Sequence, residues 1–184
     1  REGDVSAPLR TRFGVVSRID YYTNEELTNL IESVAAKLQF PVVREAAGEI
    51  ARRARGTPRV AIRMFKRMRD VAQVNRRNAV DMTTVETGMQ MLQVDRMGLD
   101  YIDRKILDIL LRRFDGGPVS LDTLAVSVGE EADTIYDVYE SFLIQIGFIA
   151  RTSRGRVATR AAWEYMGMKA PEPTATQNQL RFDD

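Results

Sequence analysis

The groups in this chain best equipped for chemistry are arginines, and the most suggestive of them is Arg59. It stands in Arg52-Arg53-Ala54-Arg55-Gly56-Thr57-Pro58-Arg59-Val60-Ala61-Ile62-Arg63, where one helical pattern stops at a glycine and another starts on a proline. Gly56 suits the left-handed close of a helix, Thr57 can cap the next one, and Pro58 fits its first turn. Arg59 is thereby held near a helix N-terminus, where unpaired amides and the positive end of the macrodipole attract an anion. Its planar guanidinium offers a fork to phosphate. Two readings stand side by side: Arg59 reads a nucleotide phosphate, or it is a solvated charge at a helix-turn-helix corner. A second basic cluster, Arg151, Arg154 and Arg156, surrounds Gly155, with Thr152, Ser153 and Thr159 as short neutral donors. That set suits contacts to a nucleic-acid backbone and contains nothing that reads base edges. The plain alternative is that these arginines solubilise an exposed turn.

Composition removes most other chemistry. The 184 residues contain neither cysteine nor histidine. Disulfides, thiol nucleophiles, cysteine zinc sites and Ser-His-Asp triads are therefore excluded, and the commonest general base is missing. The net charge is +1, with 27 basic residues of which 23 are arginine. Arginine favours planar, bidentate partners such as phosphate and carboxylate, although GC-rich coding would give the same excess. No apolar run approaches the roughly 18 residues of a membrane span and the N-terminus lacks a signal-peptide core, so a soluble, cytoplasmic protein without membrane partners is expected.

The elements that must position these arginines follow from periodicity. Val15 to Tyr21 is β-prone, and a lone strand needs a sheet that the remaining sequence does not supply, which suggests a missing domain. Thr23-Asn24-Glu25-Glu26 is a capping box, flanked by Tyr22 and Leu27 as a hydrophobic staple. The first helix then buries Leu27, Leu30, Ile31, Val34 and Leu38. A second helix is predicted from about Arg44 to Ala54 and turns Ala47, Ile50, Ala51 and Ala54 inward. The third follows Thr57, with Val60, Ala61, Met64, Phe65, Met68 and Ala72 on one side and Arg59, Arg63, Lys66 and Arg67 elsewhere. A fourth starts at Thr83-Thr84-Val85-Glu86 and buries Val85, Met89 and Leu92. Four short amphipathic helices make a small bundle.

Gln93 to Gly98 reads as a hinge. Beyond it, Asp100 to Phe114 is a periodic helix ended by Gly116-Gly117-Pro118, and Ser120 caps a short helix closed by Gly129. A further helix from about Ala132 to Ile146 buries Ile135, Val138, Phe142, Leu143 and Ile146. Phe148 to Arg151 and Arg156 to Thr159 form a β-hairpin, and Trp163 and Tyr165 lie in a closing helical turn. This order is that of a winged helix. The usual docking helix carries Glu130, Glu131, Asp133, Asp137 and Glu140 and would be repelled by phosphates, which leaves the wing as the sequence-independent DNA contact. The stretch from Ala170 to Asp184 is predicted to be disordered.

Several motifs occur together in one order: Pro8-Leu9-Arg10-Thr11-Arg12-Phe13-Gly14, Ala51 to Arg59, Met97-Gly98-Leu99-Asp100 with Asp103-Arg104-Lys105, Gly116-Gly117-Pro118-Val119, Leu143 to Phe148, and Arg154-Gly155-Arg156-Val157-Ala158-Thr159. Together they resemble RuvB, the family of bacterial AAA+ motors that drive branch migration of Holliday junctions in recombination and repair. The resemblance covers nearly the whole chain except its C-terminal tail.

The resemblance implies a mainly α architecture. Residues 1–21 would be the end of a large α/β ATPase domain, 22–95 the four-helix AAA+ lid, 96–169 the winged helix and 170–184 a disordered tail. It implies that Arg10 is the arginine finger reaching the neighbouring subunit's nucleotide in a hexameric ring. Arg59 would be the second sensor of the subunit's own nucleotide, with Tyr22 and Pro58 beside it. Arg151, Arg154 and Arg156 would face DNA, Arg154 and Arg156 most closely. ATP and Mg²⁺ are the implied cofactors of the full-length protein, and RuvA is the implied partner, docked through a hairpin of the absent domain. Two departures stand out: Thr11 occupies a position that is usually Asp, and the 184 residues contain neither a Gly-x-x-x-x-Gly-Lys-Ser/Thr phosphate loop nor the acidic magnesium-binding strand. The chain alone is thus expected neither to hold ATP tightly nor to hydrolyse it. The competing expectation is a free-standing winged-helix DNA-binding or adaptor protein in which the Gly-Thr-Pro-Arg corner is structural.

Overall fold

The computed structural model describes residues 20–171. Arg10, the rest of the first motif, most of the β-prone run and nearly all of the C-terminal tail lie outside the described residues. The chain divides into two compact units between Met82 and Thr83, ahead of the stretch expected to be the hinge.

In the first unit, α1 (Asn24–Lys37) begins at the expected capping box, with Thr23 and Glu26 satisfying each other's backbone amides. Reciprocal capping of this kind satisfies two amides that a helix start leaves open. Leu27, Ile31 and Ala35 form the buried stripe. Leu38 does not join it, as it is the C-cap residue and its side chain is exposed. Helix α2 (Arg44–Arg53) turns Ala47, Ile50 and Ala51 inward, with Ala54 buried just past its end. Helix α3 (Pro58–Val74) buries Ala61, Met64, Phe65, Met68 and Ala72, as its 3.6-residue periodicity requires. The three helices pack against one another. Val80 pairs with the loop between α1 and α2, donating to the Pro41 carbonyl at 2.9 Å while its own carbonyl accepts from Val43.

Helix α4 (Met82–Met91) starts before the expected cap, so Thr83 lies inside its first turn. Val85 and Met89 are buried as expected, whereas Leu92 falls beyond the last turn and is exposed.

In the second unit, α5 (Tyr101–Asp108) carries a capping box formed by Asp100 and Asp103 and runs on into π-type turns over Ile109–Arg113. Ser120 caps α6 (Leu121–Val128), and Gly129 ends it. The next helix, α7, is continuous but mixed: Ala132–Thr134, a π-type segment Ile135–Glu140, then Ser141–Gln145. Strands β1 (Ile149–Thr152) and β2 (Gly155–Ala158) pair antiparallel around the two-residue turn Ser153-Arg154. Val119 adds a short third rung, exchanging backbone hydrogen bonds of 3.0 and 2.8 Å with Arg156. Helix α8 (Arg160–Tyr165) closes the unit. The core joins Leu107 and Leu110 of α5 and its extension, Leu124 of α6, Phe142 and Leu143 of α7, and Ile149 of β1.

The π-type turns of α7 correct one expectation. A π turn holds more residues than an α turn and shifts side chains around the helix axis. Val138, expected inside, is 53% exposed, while Glu140, expected on the solvent face, is 2% exposed.

Candidate nucleotide corner and nucleic-acid interface

Helix α2 gives way to α3 through Arg55 and Gly56, both left-handed, at φ of 56° and 66°. Only glycine fits the second of these positions, because a Cβ there would meet the Tyr21 Cβ at 2.7 Å. The incoming chain lies directly over the corner, and the Tyr22 amide donates to the Gly56 carbonyl at 3.0 Å. Thr57 occupies the N-cap position of α3 without capping it: its hydroxyl donates to the Arg55 carbonyl at 3.2 Å. The structure therefore brings Tyr22, Pro58 and Arg59 to one place. Arg59 is exposed and forms no ion pair with any described residue. Nearby positive charge on α2 is partly balanced, since the buried Glu49 carboxylate meets Arg53 at 2.6 Å and also pairs with Arg52.

The three wing arginines have different surroundings. Arg154 is exposed in the two-residue turn and has no ion-pair partner among the described residues. Arg151 and Arg156 stand directly opposite each other in the β1–β2 register, an arrangement of like charges that is destabilising unless countered. Glu140 counters it. One of its oxygens accepts from Arg151 Nε at 2.7 Å and from Arg156 Nε at 2.9 Å, and the other accepts from Arg156 Nη2 at 3.0 Å. The Arg151 guanidinium also stacks on the Tyr136 ring, 4.7 Å from its centroid. Glu140 thus leaves the acidic face expected to repel DNA and becomes the internal anchor of the wing.

Burial pushes the Glu140 carboxyl upward, but hydrogen bonds from Arg156 and Arg151, together with their charges, outweigh it and hold the group below its ordinary value. A carboxyl depressed in the folded state stabilises above its unfolded pKa, near 4.3, and that contribution disappears as pH falls through the lower folded value. Thermal melts across this range are expected to show a loss of stability below about pH 4.3 that Glu140→Gln flattens.

The stretch expected to be a hinge is tightly held. The Asp95 carboxylate accepts from the Met97 and Leu99 amides at 2.8 and 2.9 Å, and the Tyr165 hydroxyl donates to its other oxygen. Arg104 donates to the Leu99 and Gln93 carbonyls at 2.9 and 2.8 Å. Burial and the Asp95 hydrogen bond together push the Tyr165 hydroxyl well above its ordinary value. Sequence reasoning missed Asp95, Arg104, Tyr165 and Glu140 as organising residues. The only available signal was the pair of arginines facing each other across the hairpin, which called for a counter-charge.

Among the described residues, no group of three or more acidic side chains stands ready to hold a metal ion. Arg59 presents one exposed guanidinium in the first turn of α3. Among the described residues, no helix is long and apolar enough to cross a membrane.

A small helical bundle followed by a winged helix with a basic hairpin defines the class as the lid and winged-helix modules of an AAA+ protein. The RuvB AAA lid domain matches residues 22–95, and the RuvB C-terminal winged helix domain matches residues 96–167. The solved structure described as the Thermotoga maritima RuvB Holliday junction branch migration motor is similar, with 44% identity and a TM-score of 0.88 over 93% of this chain. Two single-substitution variants of that protein match at 44% and 43% identity, with the same TM-score and coverage. The chain belongs to the RuvB family, and it spans 57% of the length of the RuvB chains it matches.

Proposed function

We propose that this chain is the lid and winged-helix part of a hexameric, ATP-driven motor that migrates Holliday junctions. In this reading Arg59, flanked by Tyr22 and Pro58, contacts the nucleotide of its own subunit and ties the lid to nucleotide occupancy. Arg10 reaches the nucleotide of the neighbouring subunit, and the wing holds duplex DNA without reading its sequence. ATP with Mg²⁺ supplies the driving free energy, on a phosphate loop that is not within these 184 residues, and the chain alone is inactive. RuvA engages the motor outside these residues, and the assembly works in the cytoplasm.

One observation carries the proposal. Each unit presents an exposed arginine, Arg59 or Arg154, at or beside a corner whose backbone is fixed by a glycine, and neither arginine has an ion-pair partner among the described residues. An unpaired guanidinium on a rigid corner loses little entropy on meeting phosphate and displaces no internal partner.

The test measures binding of the chain to duplexes of unrelated sequence as salt is varied. Similar affinities for all of them are expected, with log K falling linearly against log salt. Arg154→Ala is expected to reduce that slope by about 0.9, the value of one lost phosphate contact. Strong preference for a single sequence, or an unchanged slope, would overturn wing binding.

A further inference from the structure

The wing carries three cations, and two of them are already engaged. Arg151 and Arg156 converge on Glu140 at 2.7 to 3.0 Å, in a triad whose acid is 2% exposed while the side chains of Arg151 and Arg156 are 45% and 18% exposed. Glu140 cannot meet a polynucleotide itself. Its effect on one must pass through the two guanidiniums it holds.

We propose that Glu140 restrains the wing's grip on nucleic acid. By binding Arg151 and Arg156 internally it reserves them from phosphate, so the duplex is held chiefly through Arg154. The inference rests on the reading of the wing as a DNA-binding surface and adds to it a residue that sets the strength of binding. A phosphate approaching Arg151 must compete with a carboxylate already in place, and one approaching Arg156 must displace a two-pronged contact. The π-type turns of α7 make the triad possible, because they carry position 140 beneath the hairpin. A motor that steps along DNA must release each phosphate before taking the next. A hold weakened from within suits that cycle better than three free arginines would.

A purely structural anchor and a restraint predict opposite outcomes. If Glu140 only supports the hairpin, its removal leaves DNA binding unchanged or weaker. If it restrains the wing, its removal strengthens binding. The experiment compares the chain with its Glu140→Gln, Arg151→Ala, Arg154→Ala and combined Glu140→Gln/Arg151→Ala variants, using duplexes of unrelated sequence between about 50 and 200 mM salt.

Glu140→Gln is expected to bind about three- to tenfold more tightly and to steepen the log–log salt slope by about 1 to 2, as one or two arginines become available to phosphate. Adding Arg151→Ala should lower the slope again by about 1, leaving only the gain that Arg156 supplies. In the otherwise native chain, Arg151→Ala should change the slope by less than half as much as Arg154→Ala does. Unchanged or weaker binding by a folded Glu140→Gln variant, with Arg154→Ala still weakening binding, would overturn the restraint and leave the wing reading standing. No effect of Arg154→Ala would overturn the wing reading, and the restraint with it. Should Glu140→Gln prevent folding by circular dichroism, the native-background comparison decides: equal slope losses from Arg151→Ala and Arg154→Ala would overturn the proposal, and unequal ones in the stated order support it.

Discussion

If Arg10 has its proposed role, replacing it by alanine in the proposed ring-forming motor is expected to slow ATP turnover by about 10³ to 10⁵ while leaving nucleotide affinity nearly unchanged. Arg10 lies outside the described residues, and the role proposed for it rests on the resemblance of the Pro8-to-Gly14 motif. An arginine finger meets charge that develops as the phosphoryl group transfers, so it stabilises the transition state more than the bound ground state. Its loss therefore falls on kcat. Under the proposed role across a subunit boundary, a ring made only of Arg10→Ala subunits should be inert even though every subunit still binds ATP. Mixing them with subunits that keep Arg10 but cannot bind ATP should restore turnover at the mixed interfaces. Absence of rescue would remove Arg10 from its role in trans. A parallel loss of nucleotide affinity would show that it acts in ground-state binding instead.

The parts of the fold that were legible in the sequence are those fixed by local chemistry. Thr23 with Glu26, Gly56, Ser120 and Gly129 each satisfy or reverse backbone within a few residues of themselves, and each behaves in the structure as its type and spacing predicted. The backbone of the Arg59 corner was legible for the same reason, apart from Thr57, whose hydroxyl turns back to the Arg55 carbonyl instead of capping α3. What escaped depended on partners distant in sequence. Asp95 is tied to Tyr165, 70 residues on, and the stretch expected to be a hinge is in consequence a knot of hydrogen bonds. A uniform 3.6-residue period makes Glu140 one more charge on an acidic helix. The π-type segment breaks that period, burying Glu140 and exposing Val138. Only the strand register, which sets Arg151 against Arg156, shows why a carboxylate belongs beneath them.

Gly155→Ala is expected to destabilise the winged helix by roughly 3 to 5 kcal/mol, at the upper end of single-substitution effects. Gly155 sits at φ 138°, and a Cβ there would lie 2.3 Å from the Val119 carbonyl oxygen and 2.6 Å from its carbon. Both contacts are with backbone, so no side chain can swing aside. Relief requires parting β2 from Val119, which breaks the two hydrogen bonds between Val119 and Arg156. Those bonds contribute about 1 kcal/mol each, and the strained dihedral adds about 1 to 3. In a unit of this size each kilocalorie lowers the melting temperature by about 4 to 8 °C, so a fall of some 12 to 40 °C is expected. Gly129→Ala separates strain from collision: Gly129 is also left-handed, at φ 79°, but a Cβ there meets nothing within 4 Å. It should cost only about 1 kcal/mol. Equal losses for the two substitutions would mean that close approach to Val119 is not what demands glycine at position 155. A much larger loss for Gly155→Ala, accompanied by weaker DNA binding at temperatures where the chain remains folded, would tie the seating of the hairpin to the presentation of Arg154.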